Sequence, residues 1–400
     1  MSDIISNLKI EKLVYQGYGL GFADSNPVFV LNAVPGDVVD VQIDYKKGKS
    51  RFASIKNIIQ TSLQRIEPGC EVFGDCGGCD WLNLHYETQL EAKNEIVSEI
   101  FRNVPIVETR KIIASTQQFH YRNKSYFPIS ESGGEPVIGM FARNSHDVIT
   151  HEQCRLQPQI FDEIITGFIS YLKASHISIY NEKTGKGTAR HLGIRYSEIT
   201  GEIIIIFVTK TRKIPFTNQL VRVLTQKFPQ IVGIVQNINP NRTNVILGDD
   251  GKILFGRDHI FEQIGQKMFK LNYKSFFQVN SKIAEKMYEF VKSYLIQSKN
   301  IIDAYCGVGS IGIYVSDIVE NVTGIENNQN AVEDARKNTN LCKQNNCRFL
   351  VGNVEDVLPN LEENFDTIIF DPPRKGLDGK IISAIPGYTS KIIYISCDPT

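Results

Sequence analysis

The last third of this chain alternates short apolar runs with helical segments, and that rhythm constrains the fold more than any other feature. Strands fit Asn300–Tyr305, Val322–Ile325, Cys347–Val351, Phe365–Phe370 and Lys391–Ile395. Strand and helix repeating in this way give a doubly wound α/β domain around a parallel sheet. Open sheets of that kind place their chemistry at the carboxyl ends of the strands. The residues that follow each strand are therefore the first to read for function.

Four of those strand ends are informative. Asp303-Ala304-Tyr305-Cys306-Gly307-Val308-Gly309-Ser310-Ile311-Gly312 runs from a strand through a glycine-rich turn into a helix, and its glycines let a ligand approach the backbone closely. The next strand closes on Gly324-Ile325-Glu326, a carboxylate placed for a ribose diol, which suits NAD and S-adenosylmethionine alike. The fourth ends in Asp371-Pro372-Pro373-Arg374, whose prolines hold an extended loop that cannot continue the ladder. The fifth ends in Ser396-Cys397-Asp398-Pro399. A thiolate at Cys397 can add to an electron-poor carbon, the alternative being a buried structural cysteine. An NAD-dependent oxidoreductase built on Gly307, Gly309 and Gly312 leaves Cys397 and the Asp-Pro-Pro loop without a purpose. A methyltransferase uses such a loop to line the pocket between methyl donor and acceptor base.

Four hundred residues, 42% of them hydrophobic, imply two or three domains. Residues 1 to about 62 read as a small β domain: Leu8–Leu13, Val28–Leu31, Val38–Ile43 and Phe52–Ile58 are separated by Gly and Pro turns, among them Tyr15-Gln16-Gly17-Tyr18-Gly19 and Pro35-Gly36-Asp37. The tip Lys46-Lys47-Gly48-Lys49-Ser50-Arg51 is a basic cluster, either a solvated turn or a grip on phosphates. Tyr86–Phe101 patterns as an amphipathic helix, Glu202–Val208 as a strand and Thr217–Lys227 as a helix. Two basic runs stand out in this middle region. Tyr121-Arg122-Asn123-Lys124, with an aromatic among its charges, is the candidate to face RNA, and Lys210-Thr211-Arg212-Lys213 reads equally as solvated surface.

Net charge is formally zero, so a nucleic-acid partner must be held by local patches. The most apolar run, Ile203–Val208, is far too short for a bilayer, and the N-terminus carries no signal-like apolar stretch, so we expect a cytoplasmic protein with no membrane partner. The eight cysteines are grouped unevenly, which fits metal or catalytic use in a reducing compartment. Cys70, Cys76 and Cys79 bracket Gly74, Gly77 and Gly78, so the chain can wrap a ligand and turn three sulfurs inward, and Cys154 supplies a fourth. Zinc and an iron–sulfur cluster fit that spacing equally.

Taken in order, Ser275-Phe276-Phe277-Gln278-Val279-Asn280, Asp371-Pro372-Pro373-Arg374-Lys375-Gly376 and Ser396-Cys397-Asp398-Pro399 resemble the motifs of the RNA 5-methyluridine (uracil-C5) methyltransferases, and the resemblance spans almost the whole chain. It implies three parts: an OB-like β-barrel similar to a TRAM domain (1–62) that binds RNA, a central α+β domain (63–274) with the helix near 86–101 packed on the catalytic domain, and a Rossmann-like methyltransferase domain (275–400). Gln278, Tyr305, Ser310, Glu326, Asn353 and Asp371 would surround S-adenosylmethionine, Glu326 through the ribose hydroxyls and Asp371 near the transferred methyl group. Cys70, Cys76, Cys79 and Cys154 match the family's ligands for a [4Fe-4S] cluster, whose role would be structural or RNA-positioning. Tyr121-Arg122-Asn123-Lys124 matches a central-domain motif. Cys397 would be the nucleophile that adds to uracil C6, with a helix beginning at Asp398 and Pro399 turning its positive end toward the sulfur. The family's glutamate base is expected beyond Thr400, so no base is assigned. The barrel and the cysteines favour the branch that acts on large-subunit (23S) ribosomal RNA over the transfer-RNA branch, with a monomer as the default. A catalytically silent iron–sulfur RNA-binding protein is the reading from another class.

Overall fold

The computed structural model describes residues 4–105, 108–387 and 389–399. They form two compact units, one from the residues up to 114 with 139–153 and 399, the other from 115–138 and 154–398.

The first unit begins with β1 (Ile4–Lys9), β2 (Lys12–Leu13), β3 (Tyr18–Ala23), β4 (Asn26–Leu31), β5 (Val38–Lys47) and β6 (Ser50–Gln60), in the order β1-β5-β6-β4-β3-β2. Only β4 and β6 run parallel. The sheet curls around Leu8, Ile10, Val28, Val30, Val39, Val41 and Ala53. Two features depart from the sequence reading. The apolar stretch around Leu8–Leu13 is split between β1 and β2, and Tyr18-Gly19, expected in a turn, open a strand. Glycine hides that strand from propensity, yet the packing demands it: a Cβ on Gly21 would sit 2.5 Å from the Lys9 carbonyl oxygen of β1. The turn Pro35-Gly36-Asp37 is anchored by a fully buried carboxylate. Asp37 accepts from the backbone N–H of Val34 (2.8 Å) and Ser62 (2.9 Å) and pairs with Arg65 at 2.5 Å. Helix α1 (Tyr86–Ile100) belongs to this unit, where Ala92 joins Leu13, Val34 and Leu84 and Glu99 pairs with Lys12 at 2.9 Å.

The chain then contributes β7 (Lys124–Ser132) and β8 (Glu135–Ile138) to the second unit and a short ribbon, β9 (Met140–Phe141) and β10 (Val148–Ile149), to the first. It continues in the second unit through α2 (Ile160–Ser175), β11 (Ala189–Tyr196), β12 (Ile203–Thr209), α3 (Thr217–Lys227), β13 (Ile231–Ile238) and β14 (Asp250–Gly256). These strands form a sheet in the order β14-β13-β12-β11-β7-β8. Its middle strand β12 is buried throughout, which is why it reads as an unbroken apolar run. Phe207 of β12 meets Phe168 of α2 edge to face at 4.9 Å. A hairpin of β15 (His259–Ile264) and β16 (Lys267–Asn272) leads to α4 (Ser281–Ser293), whose first turn is capped by Asn280.

A second, parallel sheet follows as β17 (Asn300–Ala304), α5 (Ser310–Val315), β18 (Asn321–Glu326), α6 (Gln329–Leu341), β19 (Cys347–Val351), α7 (Val354–Val357), β20 (Thr367–Phe370), α8 (Gly379–Ala384) and β21 (Lys391–Tyr394). All five strands are parallel, in the order β19-β18-β17-β20-β21. The chain leaves β17 toward β18 on one side and returns to β20 on the other, so the topological switch point lies between β17 and β20. Among the described residues no helix is long and apolar enough to cross a membrane.

Asp37→Ala is expected to cost about 3–5 kcal/mol, because it leaves the part-buried Arg65 guanidinium without its partner. Urea unfolding followed by fluorescence of Trp81, in the same unit, should show a transition at clearly lower denaturant.

Candidate functional site

Strand register builds the site. Ala304 of β17 pairs with Ile325 of β18 and with Phe370 of β20, and Phe370 pairs with Tyr394 of β21. The residues one step further, Tyr305, Glu326, Asp371 and Ile395, therefore leave four adjacent strands in one row, at the switch point and its flanks. Three of the six residues expected to hold the methyl donor lie in this row, and Cys397 follows two residues after Ile395.

The glycine-rich turn fits closely beneath it. Gly309 adopts φ +76°, and a Cβ there would lie 2.7 Å from the Phe349 ring. Gly312 lets α5 press onto the sheet, since a Cβ would meet Val322 at 2.8 Å. Tyr305 carries a left-handed backbone at φ +63°, strain of the kind that collects at ligand sites. Glu326 spans the mouth of the turn, accepting from the backbone N–H of Gly307 (3.1 Å) and Asn328 (2.9 Å). Asp371 is largely buried, and desolvation pushes its carboxyl up to about 6.

The other expected ligands are placed less directly. Ser310 Oγ shares a hydrogen bond of 2.9 Å with the buried Tyr288 hydroxyl, which ties α5 to α4. Asn353 precedes α7 and donates to Asp356 at 3.0 Å, while its own oxygen is 3.5 Å from the amide of Asn327, the neighbour of Glu326. Gln278 sits on the segment before α4, and its carbonyl accepts from Asn123 Nδ2 at 3.0 Å. Cys397 is exposed, next to a turn in which the Asp398 N–H donates to Ser396 Oγ at 3.1 Å. Of the helix expected after it, only Asp398 and Pro399 fall within the described residues, both in non-helical backbone.

Three functional groups escaped the sequence reading. Asp303 is fully buried at the end of β17. Its Oδ2 accepts from the Gly312 N–H at 2.8 Å, and its Oδ1 is buried with no hydrogen-bond partner. Burial, reinforced by the charges of Asp371 and Glu326, raises its carboxyl to about 7. An orphaned acceptor of this kind beside a glycine-rich turn suits a cationic, hydrogen-bonding ligand such as the aminoalkyl sulfonium S-adenosylmethionine. The signal was present, since Asp303 heads the quoted motif.

The second and third groups are Asn123 and Arg195. Tyr121-Arg122-Asn123-Lys124 does not present its lysine to solvent: Lys124 is mostly buried beneath the Phe276 and Tyr126 rings, and desolvation lowers its ammonium to about 7. The motif is a brace. Asn123 Nδ2 bonds Gln278 O and Ser281 Oγ (2.9 Å), and Ser281 Oγ donates to Glu262 at 3.1 Å. Arg195, fully buried, donates to the carbonyls of Asn272 (2.6 Å) and Ser275. The segment carrying Phe276 and Gln278 is thus held by a polar frame from Arg195 of β11, Asn123 just before β7 and Glu262 of β15.

The cysteines divide between the two units. Cys70, Cys76 and Cys79 lie in one irregular loop of the first, where Cys76 is close enough for Cys70 to add to the burial that raises its thiol. Gly74 has φ +99°, and a Cβ on Gly77 would come within 3.0 Å of the Phe141 carbonyl, so the loop is glycine-dependent as expected. Cys154 belongs to the second unit, its N–H donating to Asp162 at 3.3 Å. Among the described residues no group of three or more His, Cys, Asp or Glu side chains is assembled for a metal.

On the first unit, register stacks Tyr45 on Phe52 (4.5 Å) and Phe29 on Phe52 (5.0 Å), with Tyr18 edge-on at 5.6 Å. Tyr45 is 53% exposed and adjoins the basic tip at Lys46.

A five-stranded parallel sheet with a glycine turn, a glutamate at the end of the neighbouring strand and an Asp-Pro-Pro loop suits a methyltransferase of the S-adenosylmethionine-dependent class. Comparison with known proteins gives the family. Residues 85–400 match the model of the tRNA (uracil-5-)-methyltransferase family, and the chain belongs to this family of uracil-5 RNA methyltransferases. It is 35% identical to an uncharacterized RNA methyltransferase of Bacillus cereus, over 97% of this chain and 86% of the relative. A Staphylococcus aureus RNA methyltransferase is 36% identical, over 97% and 88%. Among solved structures, the Pyrococcus abyssi tRNA (uracil-54, C5)-methyltransferase in complex with S-adenosyl-L-homocysteine superposes with a TM-score of 0.79 at 25% identity, covering 100% of this chain and 91% of that one.

Asp303 gives a pH test. Its folded pKa is raised, so the native state binds a proton that the unfolded chain has released, and its contribution to stability falls as pH rises from about 4 to about 7. Asp303→Asn keeps an acceptor for Gly312 and removes the titration. Relative to the wild type, the variant should gain stability as pH rises through that window, with a limiting slope of about 1.4 kcal/mol for each step of one in pH. Thermal melts of the two proteins across that pH range check it.

Proposed function

We propose that this S-adenosylmethionine-dependent enzyme methylates C5 of uridine in 23S ribosomal RNA, as a cytoplasmic monomer. The observation that carries the reading is the strand-end row Glu326, Tyr305 and Asp371 with Cys397 beside it, in a chain of the uracil-5 family. Glu326 and Tyr305 hold the adenosine part, Glu326 through the ribose hydroxyls; Asp303 and Asp371 line the methionine and methyl end; Gln278, Ser310 and Asn353 complete the surround. When bound, S-adenosylmethionine supplies an electrophilic methyl group.

The Cys397 thiolate adds to C6 of the uracil, which makes C5 nucleophilic. Once C5 carries the methyl group, a base takes its proton and the C6–sulfur bond breaks, restoring the ring and the thiolate. The exposure of Cys397 suits attack on a base swung out of its RNA helix. Gln278 is kept at the site by the Asn123 brace.

The ribosomal choice rests on the barrel and on Cys70, Cys76, Cys79 and Cys154, which we assign to a [4Fe-4S] cluster. The thiol donors and the glycine-dependent loop support that assignment, and no step of the methylation runs through it. The barrel's aromatic stack beside its basic tip supports RNA binding by stacking and phosphate contact. A transfer-RNA substrate is the second reading, favoured by the full-length likeness to the Pyrococcus abyssi enzyme, whose name gives uracil-54 of tRNA.

Transfer of labelled methyl to unmodified ribosomal and transfer RNA transcripts, followed by nucleoside analysis, tests the reading. Label in 5-methyluridine of ribosomal RNA, abolished by Cys397→Ala, is the expected result; label only in transfer RNA overturns the substrate, and undiminished label with Cys397→Ala overturns the nucleophile. Anaerobically purified protein should also absorb in the visible and contain iron and sulfide, with a Cys76→Ser variant losing both; colourless protein that contains zinc would overturn the cluster.

A further inference from the structure

The basic run Lys210-Thr211-Arg212-Lys213 is left unused by the reading above, and the fold gives it company. It leaves the carboxyl end of β12, next to the loop before β11, with Lys183 and Lys186, and the loop after β13, with Arg242. We propose that these three loops form a phosphate-binding surface for the RNA substrate.

The loops are cross-braced through carbonyls. Lys210 Nζ donates to Gly185 O at 2.5 Å and Arg242 to Lys183 O at 2.6 Å. Buried Arg190 donates to Asn239 O (2.7 Å) and Asn241 O (2.8 Å), and Gln236 to Thr211 O (3.0 Å) and Arg212 O (3.1 Å). A cation bonded to a carbonyl keeps its charge, so the bracing fixes the loops and leaves the positive field in place. Arg212 is the exception, paired with Asp250. Within the three loops the acidic side chains are Glu182, Asp249 and Asp250, fewer than the cations Lys183, Lys186, Lys210, Arg212, Lys213 and Arg242; the β7–β8 turn at the same end adds Glu131 and Glu135, the latter paired with Lys173. In a chain whose 44 basic and 44 acidic residues cancel, that excess is local. Loops already fixed lose little entropy on binding.

The surface is joined to the segment that precedes α4. Beyond Arg242 the same loop reaches Ile246 and Leu247, which pack against the apolar cluster containing Phe277 and Val308. Lys274 Nζ donates to Asp249 O at 2.5 Å, tying the loop to the segment that carries Phe276 and Gln278. RNA is the polyanion this family must hold, so the inference rests on the RNA substrate and not on which RNA is methylated.

The test uses full-length protein and whichever transcript, ribosomal or transfer, the wild type methylates; failure of the ribosomal reading changes the transcript and not the comparison. The side chains of Lys183, Lys186 and Lys213 are exposed and make none of the braces described, in which Lys183 takes part only through its carbonyl, so their joint change to Gln should leave folding intact, as checked by circular dichroism and melting. RNA affinity is measured against salt for wild type, the Lys→Gln triple, a Lys→Arg triple at the same positions, and a control with Lys173, Lys227 and Lys299 changed to Gln. Each lost phosphate contact flattens the slope of log affinity against log salt by about 0.7 on single-stranded RNA. The Gln triple should bind at least tenfold more weakly at physiological salt, with a slope shallower by about two and a raised KM for RNA, while the Arg triple and the control match the wild type. Wild-type affinity and slope in the Gln triple, or an equal loss in the control, would overturn the proposal.

Discussion

Everything at the site depends on parallel pairing at β17. Because Ala304 is in register with both Ile325 and Phe370, one residue of overrun on three strands brings Tyr305, Glu326 and Asp371 to a common edge. A one-residue slip would turn each side chain to the opposite face. Close packing locks the arrangement: Gly309 against Phe349 and Gly312 against Val322 leave no room for a Cβ. The same closeness buries Asp303, whose raised carboxyl is the electrostatic consequence of gathering acidic groups at a desolvated strand end. The site therefore stores unfavourable electrostatics that a cationic ligand relieves.

A second constraint comes from the central sheet. Buried Arg195 and half-buried Asn123 bond the segment 272–281 directly, and buried Glu262 on β15 accepts from Ser281 of that segment as well as from Ser197 and the Gln263 N–H. Such groups cost free energy unless each bond is made, so the frame admits one position for that segment. The central sheet thereby acts as a jig for Gln278 and Phe276, and its opposite loops carry the cations that we assign to the RNA backbone.

How much of this was legible in the sequence follows from the range of the interactions. The five parallel strands were readable because each is an apolar run bounded by turn signals, and Thr217–Lys227 because its helical periodicity is local. The β3 strand was missed because Gly19 and Gly21 answer to packing across the sheet, which no local propensity encodes. The largely buried setting of Lys124 within Tyr121-Arg122-Asn123-Lys124 was not legible because it depends on Tyr126, Phe276 and Ser275, the last two about 150 residues away. The aromatic stack of Tyr45, Phe52 and Phe29 was invisible for the same reason: its members come from three strands and meet only in register. Candidate ligands at strand ends were legible as a set, but the alignment that makes them neighbours belongs to the sheet.

Calorimetric titration of S-adenosylhomocysteine into the wild type and Glu326→Gln tests the strand-end row most directly. Loss of one charge-assisted hydrogen bond to the ribose is worth about 1.5–3 kcal/mol, so the variant should bind roughly ten- to a hundredfold more weakly with its melting temperature little changed. Equal affinity in the two proteins would mean that the row of Tyr305, Glu326 and Asp371 is not where the cofactor lies.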